Sequence, residues 1–474
     1  MGIRYWGSNI SEPFSTLWVS RLTTATRSPQ ANGGGKGSIV AGNGGSSFEV
    51  FWFEAVGGTA VRVAVVKRDI KGFITWSRWT SAEFGDTVTS RDNYDPQVLP
   101  LSDGGCVVFC KGVASGTTIS AWRLDASGNQ TWRQDYTGSL IGAVRVALNG
   151  SEIIVLTAAS VLLPGNFSRW QPAVLRLAVS NGAVLGCNAY RIDSSVSNIT
   201  PNSRDDLFAL SSGSVMLKVS DAYFLETNAA GTSVTNSVIF SGSDSGGTMF
   251  GPAALLPSGG YLCRDDDQTL VKLDSSFNIT DRYKHSNAMQ TGGKFWGLQT
   301  LALAVNTSGE GWALSYGFGS GEFLGIGFKI VKFTSNGATP SVYNEVAYGS
   351  NIGGPQLTVG CDIDLINEYG FTRVIGSISQ SASCRITTLG FNLNQPTSTA
   401  SNTTPAATLD TGSCSNTMSV RGWDAVTYST VTPDTITRTT VTTTVTAITI
   451  TDATGSINLV DASSTLTWSR SELI

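Results

Sequence analysis

Charge is scarce in this chain of 474 residues: Asp, Glu, Lys and Arg make up 14% of it, against about 25% in an average soluble domain. Solubility falls instead to Ser, Thr, Asn and glycine, a composition that suits short strands and many exposed turns. Histidine occurs once, as His285. A Ser-His-Asp or Cys-His device would have to use it, yet no G-x-S-x-G and no nucleophile context accompanies it. His285 therefore reads as an exposed polar loop residue, and a zinc or copper site built from His and Cys is poorly supplied. No apolar run approaches about 18 residues, so no membrane span is expected. No Lys/Arg-rich run appears, and a net charge of −4 with a pI near 5.2 argues against nucleic-acid partners. The N-terminus (Met1-Gly2-Ile3-Arg4-Tyr5-Trp6) lacks the apolar core of a signal peptide. Trp6 stands where a myristoylation signal needs Ser or Thr. Helical periodicity of useful length is rare, which makes the chain all-β.

The seven cysteines (Cys106, Cys110, Cys187, Cys263, Cys361, Cys384 and Cys414) are scattered, odd in number and without a CxxC. Cys106 and Cys110 share a strand face but lie too far apart to bridge. They read as small buried apolar residues of a protein made in a reducing cytosol. The Asn-x-Ser/Thr sites, such as Asn129 and Asn198, are a by-product of composition.

What the chain does contain is a repeat. Ala121-Trp122-Arg123-Leu124-Asp125 leads through Gly128 to Thr131-Trp132. This reads as a strand, a turn in which Asp125 bonds the backbone ahead and Gly128 takes a positive φ, and a return strand. An earlier copy runs from Lys67 through Asp69 and Gly72 to Thr75-Trp76. Weaker copies give basic anchors at Lys67, Arg123, Arg176, Lys218, Lys272, Lys332 and Arg385, separated by 56, 53, 42, 54, 60 and 53 residues. Unit four, between Arg176 and Lys218, is short on this reading. A second mark precedes most anchors: a Gly-containing turn followed by an apolar run, as at Gly104-Gly105, Asn149-Gly150, Gly259-Gly260 and Tyr369-Gly370.

Two marks in constant order, with room for about four short strands per unit, predict a β-propeller. The expected count is seven blades, with eight as the alternative because Arg21 could mark a further unit. The hairpins resemble the loose quinoprotein-like and cell-surface propeller repeats (K-L-D-x-x-G-x-x-x-W), a resemblance that spans roughly residues 36–396 and implies architecture. Residues 1–35 are expected to form an N-terminal arm, with Leu17–Leu22 a candidate strand to close the ring. In unit one, Phe48–Phe53 has little alternation and is expected to be buried on both faces. Pro396–Thr408 reads as a linker. Residues 397–474 read as a small Thr-rich β segment for docking or oligomerisation, since Thr435–Thr451 is β-branched throughout. A core so thin needs a partner surface, either the propeller or another subunit.

Candidate chemistry is sparse. The hairpins Asp69–Trp76 and Asp125–Trp132 loosely resemble the sialidase Asp box, but both gaps are one residue longer, and that box is a structural turn. Arg264-Asp265-Asp266-Asp267 and Asp362-Ile363-Asp364 offer oxygen ligands for calcium without matching an EF-hand loop; they read as solvated acids. No Cys-Cys pair supports a quinone cofactor. Trp76 and Trp132 hold equivalent repeat positions and read as blade packing. Trp170, Trp296 and Trp312 fall outside the shared hairpin; core packing is the favoured reading, with stacking on a sugar at the rim the alternative. No catalytic, metal or cofactor residue is therefore assigned. Low charge, a degenerate propeller, a Thr-rich β tail and no signal peptide together resemble bacteriophage virion proteins of the tail. The resemblance implies a non-enzymatic structural component (fibre, spike, nozzle or baseplate) made in the host cytoplasm and residing in the virion. Its implied partners are other tail proteins, further copies of itself and a host-surface glycan. A stand-alone lectin-like propeller and a glycan-cleaving propeller are the alternatives.

Overall fold

The computed structural model describes residues 17–22, 38–54, 60–85, 96–112, 118–163, 167–192, 198–201, 205–220, 223–241, 251, 253–264 and 269–285. Beyond these it describes the strands named below and residues 436–464 and 466. For β23–β33 it describes mainly backbone pairing.

Among the described residues the strands form seven antiparallel sheets, numbered below as blades. After β1 (Leu17–Leu22), blade 1 holds β2 (Ser38–Ala41), β3 (Ser47–Glu54), β4 (Ala60–Arg68) and β5 (Ile74–Thr80), with β6 (Phe84–Gly85) against β4. Blade 2 holds β7 (Gln97–Pro100), β8 (Cys106–Lys111), β9 (Ile119–Leu124) and β10 (Gln130–Thr137). Blade 3 holds β11 (Arg145–Asn149), β12 (Glu152–Leu163), β13 (Phe167–Ala178) and β14 (Val184–Ile192). Blade 4 holds β15 (Asp206–Ala209), β16 (Val215–Val219), β17 (Tyr223–Thr227) and β18 (Val234–Ser241). Blade 5 holds β19 (Ala253–Leu255), β20 (Tyr261–Arg264), β21 (Thr269–Leu273) and β22 (Ile279–His285). Blade 6 holds β23 (Gln299–Val305), β24 (Glu310–Phe318), β25 (Ile326–Thr334) and β26 (Tyr343–Ser350). Blade 7 has only three consecutive strands, β27 (Thr358–Glu368), β28 (Phe371–Gln380) and β29 (Cys384–Asn392), and β1 fills its fourth place against β29.

The first strands of neighbouring blades face one another: β2 meets β7 and β27, β11 meets β7 and β15, and β23 meets β19 and β27. Between blades 4 and 5 the Ala253 N–H donates to Asp206 Oδ2 at 2.7 Å. The ring therefore closes, and the fold is a β-propeller. The apolar cores lie between blades. One joins blades 1 and 2 through Val50, Trp52, Val108 and Trp122, another joins blades 2 and 3 through Val107, Phe109, Ile153 and Val155. Being sandwiched, the second strands are buried on both faces: from Phe48 to Trp52 no residue is more than 3% exposed. Glu49 is enclosed there with Arg68, 3.5 Å away.

The segment after blade 7 is distributed around the ring. β30 (Thr408–Leu409), β31 (Met418–Val420) and β32 (Asp424–Val426) join blade 6, and β33 (Tyr428–Thr430) joins blade 5. β34 (Thr437–Thr440), β35 (Thr443–Ala447), β36 (Thr451–Ala453) and β37 (Leu459–Asp461) join blades 4, 3, 2 and 1. β38 (Trp468–Leu473) ends on blade 7, pairing with β1 over six residues. The chain thus circles back past every blade in reverse order, as a belt of fifth strands. Among the described residues no helix is long and apolar enough to cross a membrane.

The structure corrects the reading of unit four. Six of the seven basic anchors sit on the third strand of their blade, but Lys218 sits on the second, β16. The residue paired as the anchors are is Glu226, opposite Asn236, as Arg176 is opposite Gly186. Lys218 is fully buried 3.7 Å from an equally buried Asp205. Its basic character belongs to an internal ion pair, so unit four is not shortened. His285 is likewise not in a loop: it is the last residue of β22, paired with Tyr428 of the belt.

Candidate functional site: the blade seams and the belt

The repeated hairpin joins the third and fourth strands of blades 1 to 5. Asp125 Oδ1 accepts from the backbone N–H groups of Ser127 (2.9 Å) and Asn129 (2.8 Å), and Gly128 takes a φ of 80°. The Asn129 N–H, with the Asn129 side chain and further turn N–H groups, holds the Asp125 carboxyl below the usual carboxylate range. Asp69 repeats the arrangement with the N–H groups of Lys71 and Phe73, and Asp274 with those of Ser276 and Asn278. Asn228 accepts from the Thr232 and Ser233 N–H groups. In blades 1 to 5 the ladder beside this turn also carries a register shift at or next to the anchor position. Such a bulge sharpens the local twist and re-aims the side chains that follow it.

Those side chains point at the next blade. Trp76 Nε1 donates to the Ala126 carbonyl at 3.0 Å, and Arg78 Nε to the Gly128 carbonyl at 2.8 Å. One blade on, Trp132 Nε1 donates to the Val179 carbonyl (3.0 Å), Gln134 Nε2 to Asn181 (3.3 Å) and the Tyr136 hydroxyl to Gly182 (2.8 Å). One further, Asn188 Nδ2 and the Tyr190 hydroxyl both donate to Gly231. The basic anchors act in the same direction. Lys67 Nζ reaches the Gly104 carbonyl at 2.8 Å, and Arg123 Nη1 the Val179 carbonyl at 3.2 Å. The turn glycine serves a second purpose: a Cβ on Gly182 would lie 2.9 Å from the Trp132 ring.

Between blades 4 and 5 the latch is different. The corresponding fourth-strand positions are Asn236, Val238 and Phe240, and the turn glycine is replaced by Phe277 at a φ of 62°. A non-glycine residue in this region costs about 1–2 kcal/mol. Phe277 is fully buried against Phe224 and Tyr261, with ring centroids 5.7 and 5.6 Å away, which offsets the strain. The polar donor comes from the belt: Arg438 Nε and Nη2 donate to the Phe277 and Ser276 carbonyls at 3.1 and 2.9 Å.

The belt also plugs each described seam from outside. Ile436 packs on the core between blades 4 and 5, Val441 and Val445 between blades 3 and 4, Ile448 and Ile450 between blades 2 and 3. Ile457 and Leu459 do so between blades 1 and 2, while Ala462 and Leu466 pack with Phe51, Ala64 and Val66 of blade 1. Trp122 Nε1 donates to the Ile457 carbonyl at 2.8 Å, and the Leu459 N–H to Gln130 Oε1 at 2.9 Å. Arg78 pairs with Asp461 at 2.7 Å.

The thiols and phenols of these seams are held in their neutral forms. Burial pushes the Cys106, Cys110 and Cys263 thiols up and that of Cys187 to about 12; all four are free and buried. Burial raises the Tyr136 and Tyr190 phenols too, so both stay hydrogen-bond donors. Asp364 Oδ2 accepts from the Ala41 N–H at 2.8 Å, joining blade 7 to blade 1 rather than standing as a solvated acid. Asp265–Asp267, Trp296 and most of the loops expected at 241–247, 286–295 and 317–323 lie outside the described residues. Among the described residues no group of three or more His, Cys, Asp and Glu could hold a metal. Trp170 is half-buried on a hairpin that outruns its blade, where Leu162 and Phe167 are 62% and 61% exposed.

No protein-family model and no curated protein matches the sequence. Among the solved structures that align with it are two at 10% identity. BamB from Moraxella catarrhalis covers 79% of this chain and 96% of its own, with a TM-score of 0.39. The WD40 β-propeller domain of Doa1 covers 62% and 93%, with a TM-score of 0.34.

Proposed function

We propose that the chain is a non-enzymatic structural component of a bacteriophage tail, in which the propeller serves as a rigid platform. The observation that carries this reading is the belt. Strands after residue 407 pair with all seven sheets, and apolar belt residues seal the described seams. Chain is invested in holding the ring against deformation. Among the described residues, the groups with shifted pKa values are thiols and phenols driven toward their neutral forms, turn carboxylates held ionised, and Arg133, lowered by burial beside Asp135. Partners of this reading are other tail proteins and further copies of the chain, with a host-surface glycan as the outermost contact.

The test is immunogold labelling of tailed particles with antibody raised to the purified chain, alongside its absolute mass by light scattering. Gold confined to the tail, with a defined oligomer or a monomer that assembles on the particle, is the expected result. Absence of the chain from intact and tail-disrupted particles would overturn the reading.

A further inference from the structure

The belt differs from the blades it encircles. Strands β34 to β37 have four, five, three and three residues and pair along one edge only. All of β36 is exposed, as are Val460 and Asp461 of β37. Beneath it, β16 is buried throughout, and the second and third strands of blades 2 and 3 carry the inter-blade cores. The belt adds an outer lining to cores filled mainly by blade residues, with Leu459, Ala462 and Leu466 the belt side chains that enter them among the described residues.

Its hold comes from a few seats. Gly455 crosses from blade 2 toward blade 1 directly over Arg133, and a Cβ there would fall on the guanidinium carbon. That guanidinium lies 5.5 Å from the Trp122 ring and donates through Nη2 to both oxygens of Asp135, at 2.9 and 2.8 Å. The terminal seat is β38, clasped over β1 with Trp468 against the Arg68 guanidinium, 4.3 Å from its ring. Between seats, Ile448, Ile450 and Ile457 must each meet a seam. A slip of one residue would turn them outward.

We propose that residues 436–473 form a strap that latches onto an already folded ring and opens as one cooperative unit ahead of global unfolding. Strands that add mainly an outer edge to a core belong at the low-stability end of a protein's opening spectrum. The shared register makes seats engage together: one seat out of step expels the next apolar plug. The inference concerns the fold and does not depend on where the protein resides.

Native-state hydrogen exchange of the full chain, read by mass spectrometry, tests it. Peptides covering 436–466 are expected to share one opening rate, roughly tenfold or more above that of β8, β9, β12 and β16. Gly455→Ala is expected to raise belt exchange again by about tenfold while the blade strands are unchanged. Ile457→Ala, which empties a plug without a clash, reads the same effect if the glycine variant does not fold. Belt peptides exchanging as slowly as the blade strands, or each at its own unrelated rate, would overturn the proposal.

Discussion

The seam between blades 2 and 3 and the seam between blades 4 and 5 solve one problem with different chemistry. In the first, Trp132, Gln134 and Tyr136 donate into the carbonyls of the next turn, and Gly182 leaves room for them. In the second, the turn residue itself is the plug: Phe277 fills the gap with its ring, and Arg438 arrives from some 160 residues away in sequence to satisfy the carbonyls. A polar latch needs a small turn residue because its donors must come within about 3 Å. An apolar plug needs a large one and tolerates an unfavourable φ in return. The two are exchangeable only as sets, since either turn residue in the other seam leaves a hole or a clash.

Single substitutions break the comparison to different degrees. The largest effect is expected from Phe277→Ala, which empties the apolar seam and keeps the unfavourable φ; about 3–5 kcal/mol should be lost in urea unfolding. Gly182→Ala introduces a Cβ at positive φ against Trp132 and should cost about 1–3 kcal/mol by the same measurement. Tyr136→Phe keeps the packing but leaves the buried Gly182 carbonyl without its donor, for a loss of about 1–3 kcal/mol. Arg438→Ala removes charge-assisted bonds that are partly exposed and should cost about 1 kcal/mol. Its mark is faster hydrogen exchange along the whole belt and at the Ser276–Phe277 turn, with β8, β9, β12 and β16 unaffected. The smallest effect is set by pH. Asp125 has a lowered pKa in the folded state, so the stability it contributes is present above the unfolded value of about 3.9. It is lost as pH falls through the folded value, and Asp125→Asn should flatten the acid limb of the stability profile.

The turns were legible because they are local. Asp125 and Gly128 act on residues within four positions, and such signals survive in a linear reading. The anchor of unit four was misplaced because Lys218 carries the right residue type for a different reason, a buried pair with Asp205. Glu226, the true counterpart, has the opposite charge, and only its strand pairing identifies it. Asp364 looked like a solvated acid because its acceptor role involves an N–H 323 residues away in sequence. The exposed Leu162 and Phe167 had no signal, since a β-prone run reads the same inside a sheet or beyond its edge.

Composition, period and turn chemistry by themselves determined an all-β repeat protein with a hairpin of fixed design, because backbone preference and hydrogen bonding within a turn are short-range. Tertiary structure alone decided what the hairpins are for and where the Thr-rich segment goes. A β-branched strand with exposed edges will pair with any free edge it can reach. Here the ring presents one such edge per blade, and the register of Ile436, Val441, Ile448 and Ile457 against successive seams selects the path.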